Sequence, residues 1–494
     1  MVLIGLSFGA WQLAHIHDYA YGAYFQWSNY DEGVYLSSAR LLNAGHPIFS
    51  QVFSSQPLLF LEGLALAVQA TGGSADGGHV YALVCGLFAL SGVGWLSLEI
   101  GGRASGVLAM ALLALSPGFV LAAHAVESEA PVLAFGSLAV AASARYARVG
   151  QRRWLAGASL LLAAAVLSKL LAVSLLWPIG VAMLARWWEF YGARSVRATT
   201  REPARSDQYR GSGSLATVVM LDLCTVLGCF LAPLALVFGL ISPAAQWDQV
   251  VRFHLKVSEA FPSTSTNFSA LEHYLMWDPA LVAFSVVGLA AAAISRKRLA
   301  LIPIAWLAAE LGTLGTYHPL FVHHITVLVA PFAVLGGRAA DFGGPQRFGA
   351  LRRLVTGVLL IFGLVAYLLW LPEILGRDGS ALTQSQDPVV ARQVAWLDAH
   401  SSPSGYVVVD NQVLAVAADR AVPPALVDTS IVREESGYLP LSLLVQATVT
   451  WRAQAVLLTR ALYDDAAYVQ WLRKNYREVT LPAGYGGALA FLSR

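Results

Sequence analysis

Charge is scarce in this chain. Asp, Glu, Lys and Arg supply 13% of its 494 residues, where a soluble domain carries about 25%. That deficit excludes a fully water-exposed protein, since such a surface needs charged residues throughout. The formal net charge of +2 says little about partners, and no nucleic acid is expected among them. Cysteine is scarcer still. Cys85, Cys224 and Cys229 all sit in apolar runs, which excludes a disulfide framework and the usual zinc spacings. Cys224 and Cys229 read as small core or lipid-facing residues. Nucleotide signatures are missing too: there is no P-loop, Rossmann fingerprint, G-x-S-x-G elbow or H-E-x-x-H. An activated donor would therefore arrive through the membrane. The opening "MVLIGLSFGAWQLA" lacks the basic start and A-x-A exit of a cleavable signal peptide. It is also short for a span, so either the first helix begins before this start or it is only partly inserted.

What fills the chain instead is hydrophobic sequence, 57% of residues. Runs such as "VYALVCGLFALSGVGWLSL" (80–98) and "ASGVLAMALLALSPGFVLAA" (104–123) approach the ~20 residues needed to cross a bilayer. About eleven such runs are expected to span: 1–15, 80–99, 104–123, 130–147, 154–168, 170–187, 215–241, 279–295, 299–316, 320–337 and 354–372. "PLLFLEGLALAVQA" (57–70) is too short and reads as lying along the interface. Basic residues then set the orientation. Arg145, Arg148, Arg152 and Arg153 fall in one loop, and Arg186, Arg194, Arg197, Arg201, Arg205 and Arg210 in another. Arg296, Lys297 and Arg298 follow in a third, and Arg338, Arg347, Arg352 and Arg353 in a fourth. All four land on one side, the cytoplasmic one, and include a connector at 188–214. The opposite loops, 16–79, 124–129, 242–278 and 317–319, are acidic, aromatic or His-bearing.

The fold class expected is a polytopic α-helical membrane protein over 1–372, followed by a small extracytoplasmic α/β domain over 373–494. In that tail "PVVARQVAWLDAH" reads as an amphipathic helix, "GYVVVD" and "AQAVLLTR" as strands, and "DDAAYVQWLRKNY" as a helix with acids in its first turn. No tandem repeat or low-complexity tract is present.

Four groups of residues carry possible chemistry. Asp31 and Glu32 follow Tyr19, Tyr21, Tyr24, Phe25, Trp27 and Tyr30. One reading is an acidic helix start behind an interfacial aromatic belt; the other is a carboxylate that acts as general base, with rings that stack on a sugar. Glu127 and Glu129 form an E-x-E turn with His124 on the same side. They either favour a helix N-terminus electrostatically or face a cleft. Lys169, in "AAAVLSKLLAVSLLWP", either snorkels from a helix end or meets an anionic lipid phosphate. Tyr317, His318, His323 and His324 gather at a late external turn. Their spacing is not that of a zinc site, so interfacial or phosphate-contacting roles are expected, and no metal ligand set emerges. His254, Lys256 and His273 are further, weaker candidates.

"YDEGVYLSSARLLNAGHPIFSQVFSSQPLL" resembles the first external loop of the C-type glycosyltransferases (GT-C), and among them glycosyltransferase family 39, which includes protein O-mannosyltransferases and aminoarabinose transferases. Asp31, Glu32, Tyr35, Gly45 and Pro57 match the family pattern in order. "VESEAPVLAFGSLAVAASARYAR" is similar to the second acidic turn and its helix, "VLSKLLAVSLLWP" to the Lys-bearing helix, and "VVVDNQVLAVAADRAVPPALVDTSIVREESGYL" to the tail of some bacterial members. One departure stands out: many members have Lys-Pro-Pro where this chain has Gln56, Pro57 and Leu58.

The resemblance implies a GT-C fold and inverting transfer of a sugar, a mannose-like hexose or another, from a polyprenyl-phosphate donor to an acceptor hydroxyl outside the cytoplasm. It makes Asp31 the general base. Glu32, Glu127, Glu129 and Tyr35 would position sugar or acceptor, while Lys169, His318, His323 and His324 stabilise the leaving phosphate. The donor is a substrate rather than a cofactor, and the partners expected are that lipid-linked sugar, membrane lipid, and a protein, lipid or glycan acceptor. Composition points to a bacterial plasma membrane. A lipid-linked-sugar transporter or flippase is the alternative, but the paired broken helices of pseudo-symmetric halves are not seen in the sequence; a non-catalytic membrane scaffold is a second.

Overall fold

A computed structural model of the chain describes residues 1–14, 16, 28–200, 214–261, 265–295, 297–343 and 388–494, with three isolated helical positions at 358, 361 and 365. The aromatic run from Tyr19 to Trp27, the start of the tail at 373–387, residues 201–213 of the basic connector and all but those three positions of the expected span 354–372 lie outside the described residues.

Six described helices are long and apolar enough to cross a membrane: Asp76–Gly101, Glu129–Val149, Leu170–Tyr191, Leu215–Leu240, Arg298–Thr316 and Val322–Ala340. A seventh crossing counts Asn267–Met276 and Pro279–Ile294 as one bent span, broken by 94°. Several apolar runs are not the single helices that composition suggests. The run 104–123 is split into Arg103–Ala114 and Pro117–Ala122, with Pro117 opening the second helix, where its missing N–H costs nothing. Val2–Ala14 and Leu58–Ala70 have 13 residues each, too few to span upright. The loops are largely helical as well. The first segment expected to be external holds Ser28–Asn43 and Leu58–Ala70, and Leu176–Thr200 runs on past 188 into the expected connector.

Small residues set the packing between the membrane helices. A Cβ on Gly92 would stand 2.8 Å from the backbone nitrogen of Leu138, so Asp76–Gly101 and Glu129–Val149 meet backbone to backbone. Their basic-side ends are tied by buried acids. Glu99 accepts from Arg145 at 3.2 Å and from Arg148 at 3.0 Å, and Asp222 accepts from Arg152 at 2.8 Å and Trp187 at 2.9 Å. Glu129 opens the same helix that Arg145 and Arg148 close. Its 21 residues rise about 30 Å, one hydrocarbon thickness, so the acidic turn and the arginines occupy opposite ends.

The tail forms a four-stranded sheet, in the order β1-β2-β4-β3, from β1 (Val407–Val409), β2 (Ala455–Leu458), β3 (Tyr476–Val479) and β4 (Leu489–Ser493). β1 and β2 are parallel, and β4 is antiparallel to both β2 and β3. The first two strands are continuous apolar runs because both faces are covered. Val408, Val456 and Leu458 pack with Leu444, Tyr468 and Leu472 on one face. Val407, Val409 and Leu457 pack with Trp396 and Leu397 on the other, where Leu41, Val52, Phe53, Phe253 and Val257 complete the core. The tail's second face is therefore closed by residues 41–53 and 253–257 of the membrane region.

Candidate active site

The helix Ser28–Asn43 carries Asp31 in its first turn, where a carboxylate is favoured by the exposed N–H groups and the helix dipole. Three features lock it against the tail. Gly33 lies so close to Gln412–Ala417 that a Cβ would stand 2.3 Å from Val413 N. The Tyr30 hydroxyl donates to Asp428 Oδ1 at 3.0 Å and accepts from the Thr429 N–H at 2.7 Å. Further along, Arg40 donates to the Val416 carbonyl at 3.1 Å.

Asp31 faces a cavity of about 800 Å³ between the membrane region and the tail. The floor is made by Asp31, Tyr35, Gln56, His254, Tyr317, His323 and His324, and the roof by Asp410, Asp428, Thr429, Ser430, Thr459, Arg460 and Asp464. His323 Nε2 lies 3.4 Å from Asp31 Oδ2. Burial, reinforced by the nearby Asp428 carboxylate, pushes Asp31 up to about 7. Burial pushes the His254 imidazole down to about 4, leaving it neutral. Tyr35 is held edge-on against Phe60 with ring centres 4.7 Å apart.

The second acidic turn lies beside Asp31. Glu127 is buried, neither of its carboxylate oxygens has a hydrogen-bond partner among the described residues, and burial followed by the Asp31 charge raises its pKa. Glu129 forms a buried ion pair with Lys169 and accepts from Ser128 Oγ at 3.2 Å. Lys169 ends the helix Arg152–Ser168, and its ammonium is consumed by this pair. Ligand atoms of Glu129, His323 and His324, and likewise those of Asp31, Glu127 and His323, lie within 4.8 Å of one another. Both sets can hold a divalent cation, since carboxylate and imidazole are ordinary ligands for one. They escape a reading by spacing because each draws on separate segments.

Other expected residues stand elsewhere. Glu32 is buried away from the cavity, where it accepts the Val126 N–H at 3.2 Å and lies 3.4 Å from His79 Nε2. It braces the two acidic turns against each other. His318 does not line the cavity, whereas its neighbours Tyr317 and Pro319 do. Lys256 stacks on Tyr438, 5.4 Å from the ring centre.

A family model described as dolichyl-phosphate-mannose-protein mannosyltransferase matches residues 80–238. No curated protein matches the chain by sequence. Among solved structures, ArnT from Cupriavidus metallidurans bound to undecaprenyl phosphate superposes with a TM-score of 0.65 at 12% identity, covering 98% of this chain and 97% of that one. The same protein in the apo state gives 0.61 at 14% identity, with the same coverage. AglB, the oligosaccharyltransferase from Archaeoglobus fulgidus in complex with an inhibitory peptide and a dolichol-phosphate, gives 0.51 at 11% identity, covering 99% of this chain and 74% of that one. The chain has the C-type glycosyltransferase fold. Its resemblance to family 39 is carried by the matched segment, which contains the second acidic turn and Lys169.

Within this glycosyltransferase fold, sequence reading missed the roof. Asp410 directly follows β1 and Arg460 lies two residues beyond β2, and the carboxyl ends of parallel strands are where α/β sheets place ligand-binding residues. That signal was present in "VVVD" and "VLLTR". Nothing local said that these ends would meet Asp31.

Proposed function

We propose that this chain is a membrane glycosyltransferase that moves a sugar from a polyprenyl-phosphate donor to an acceptor hydroxyl, with inversion and on the extracytoplasmic side. The observation that carries the reading is Asp31, a half-buried carboxylate poised near neutrality beside His323 in a cavity of about 800 Å³. A general base works best when its pKa lies near the operating pH. The lipid phosphates bound by the two fold relatives supply the donor class, and the distribution of arginines supports the orientation.

Asp31 accepts the proton of the acceptor hydroxyl as its oxygen forms a bond to the anomeric carbon. The bond from that carbon to the phosphate oxygen breaks on the opposite face, and the polyprenyl phosphate leaves with the electron pair. Tyr35 lies on the same wall, available to position sugar. The Lys169–Glu129 pair shapes the floor electrostatically. A divalent cation held by Asp31, Glu127 and His323, or by Glu129, His323 and His324, would supply charge neutralisation; the proton transfer assigned to Asp31 does not require it.

The test is Asp31→Asn in purified membranes supplied with polyprenyl-phosphate sugars. Loss of transfer with retained donor binding is expected. Wild-type turnover in this variant would overturn the assignment of the base.

A further inference from the structure

We propose that Arg460, presented by the tail, is a phosphate-binding residue of this cavity. The inference rests on the glycosyl-transfer reading and adds to it a site residue outside the membrane region.

The charges on the cavity wall motivate it. Departing phosphate is anionic, and anions in such sites are met by preorganised cations. Lys169 is buried and taken by Glu129, and the position at the start of the Pro57 segment is the neutral Gln56. His254 is neutral near pH 7. Arg460 is the one lysine or arginine among the described residues that line the cavity.

Its setting is built rather than incidental. The fully buried Asp410 accepts from Thr459 N at 2.6 Å, Thr459 Oγ1 at 3.0 Å and Arg460 N at 2.7 Å. Both of its oxygens are thereby spent on holding the turn after β2. The Arg460 guanidinium then lies over the Tyr30 ring, 4.9 Å from its centre, and Tyr30 is itself fixed by Asp428 and Thr429. Stacking orients the guanidinium plane and leaves its N–H edge free. The side chain makes no hydrogen bond or ion pair with any described residue, although Asp31, Asp428 and Asp464 share the wall. A pinned backbone, an aromatic shelf and an uncommitted fork of donors suit a planar, bidentate contact to phosphate. That phosphate belongs either to the polyprenyl donor or to an acceptor.

The test compares the full chain in nanodiscs with Arg460→Gln, Arg460→Lys and the surface control Arg473→Ala. Binding of undecaprenyl phosphate and of undecaprenol is measured by tryptophan fluorescence. Phosphate binding is then measured with and without saturating undecaprenyl phosphate. If Arg460 meets the donor, wild type prefers undecaprenyl phosphate over undecaprenol by about tenfold or more, and Arg460→Gln abolishes the preference. Arg460→Lys keeps part of it, and Arg473→Ala keeps it all. If Arg460 meets an acceptor phosphate, inorganic phosphate still binds beside saturating undecaprenyl phosphate, and Arg460→Gln removes that binding. Wild-type binding of both probes by a folded Arg460→Gln variant overturns the proposal, as does failure of wild type to bind either. These readouts need no turnover, so a failed transfer assay counts against the reaction without deciding the role of Arg460.

Discussion

Substituting Gly33 with alanine tests whether the tail is part of the catalytic site or merely beside it. The added methyl would lie 2.3 Å from Val413 N, 2.7 Å from the Gln412 carbonyl carbon and 3.0 Å from Val413 Cα. Ordinary contact begins at 3.4 Å, so two backbones must separate by roughly 1 Å, and backbone has no rotamer by which to yield. Overpacking of this kind costs about 1–3 kcal/mol. The displacement also acts on Tyr30, three residues away, whose bonds to Asp428 and Thr429 are 3.0 and 2.7 Å long. Losing both adds about 1 kcal/mol each, for a total of about 3–5 kcal/mol. The chain sheds this strain most cheaply by letting the tail lift from the Asp31 helix. Limited proteolysis should then cut the tail faster, hydrogen exchange should rise in residues 28–36, and transfer should fall at least tenfold. Gly157→Ala serves as the control, since its Cβ would meet nothing within 4 Å and alanine favours a helix. Wild-type transfer and wild-type exchange in Gly33→Ala would refute the claim that this contact orders the site.

Because Asp31 is raised to about 7, the base form is lost as pH falls through that value. The acid limb of kcat/KM should therefore lie near pH 7, and Asp428→Asn, which removes a nearby negative charge, should move it to lower pH. An unmoved limb would show that another group controls it. Lys169→Met strands the buried Glu129 carboxylate and should cost about 3–5 kcal/mol, read as a lower Tm in detergent; adding Glu129→Gln should recover much of the loss. Glu127→Gln replaces a buried carboxylate with no hydrogen-bond partner among the described residues. It should raise Tm in chelator and abolish any stabilisation by added Zn²⁺ or Mn²⁺, whereas a fall in Tm would argue that the charge is compensated in the apo protein.

Membrane character, the acidic pair, the second acidic turn and the intramembrane lysine were all legible in the chain, because each is a local departure from an apolar background. Helix starts and strands in the tail were legible for the same reason: period and capping are properties of neighbouring residues. The division of labour among the acids was not. Asp31 and Glu32 are adjacent in sequence, yet the step of about 100° between neighbouring helix positions directs Asp31 into the cavity and Glu32 toward Val126 and His79. Lys169 reads as a free cation until Glu129, 40 residues away, is brought against it. The pairing of Tyr30 with Asp428 and Thr429 spans almost 400 residues, and it closes the cavity in which Arg460 faces Asp31. Local sequence marks which residues are costly to bury. Which of those charges cancel one another, and which are left to meet a substrate, follows from the packing of distant segments, because it depends on distances that no local pattern encodes.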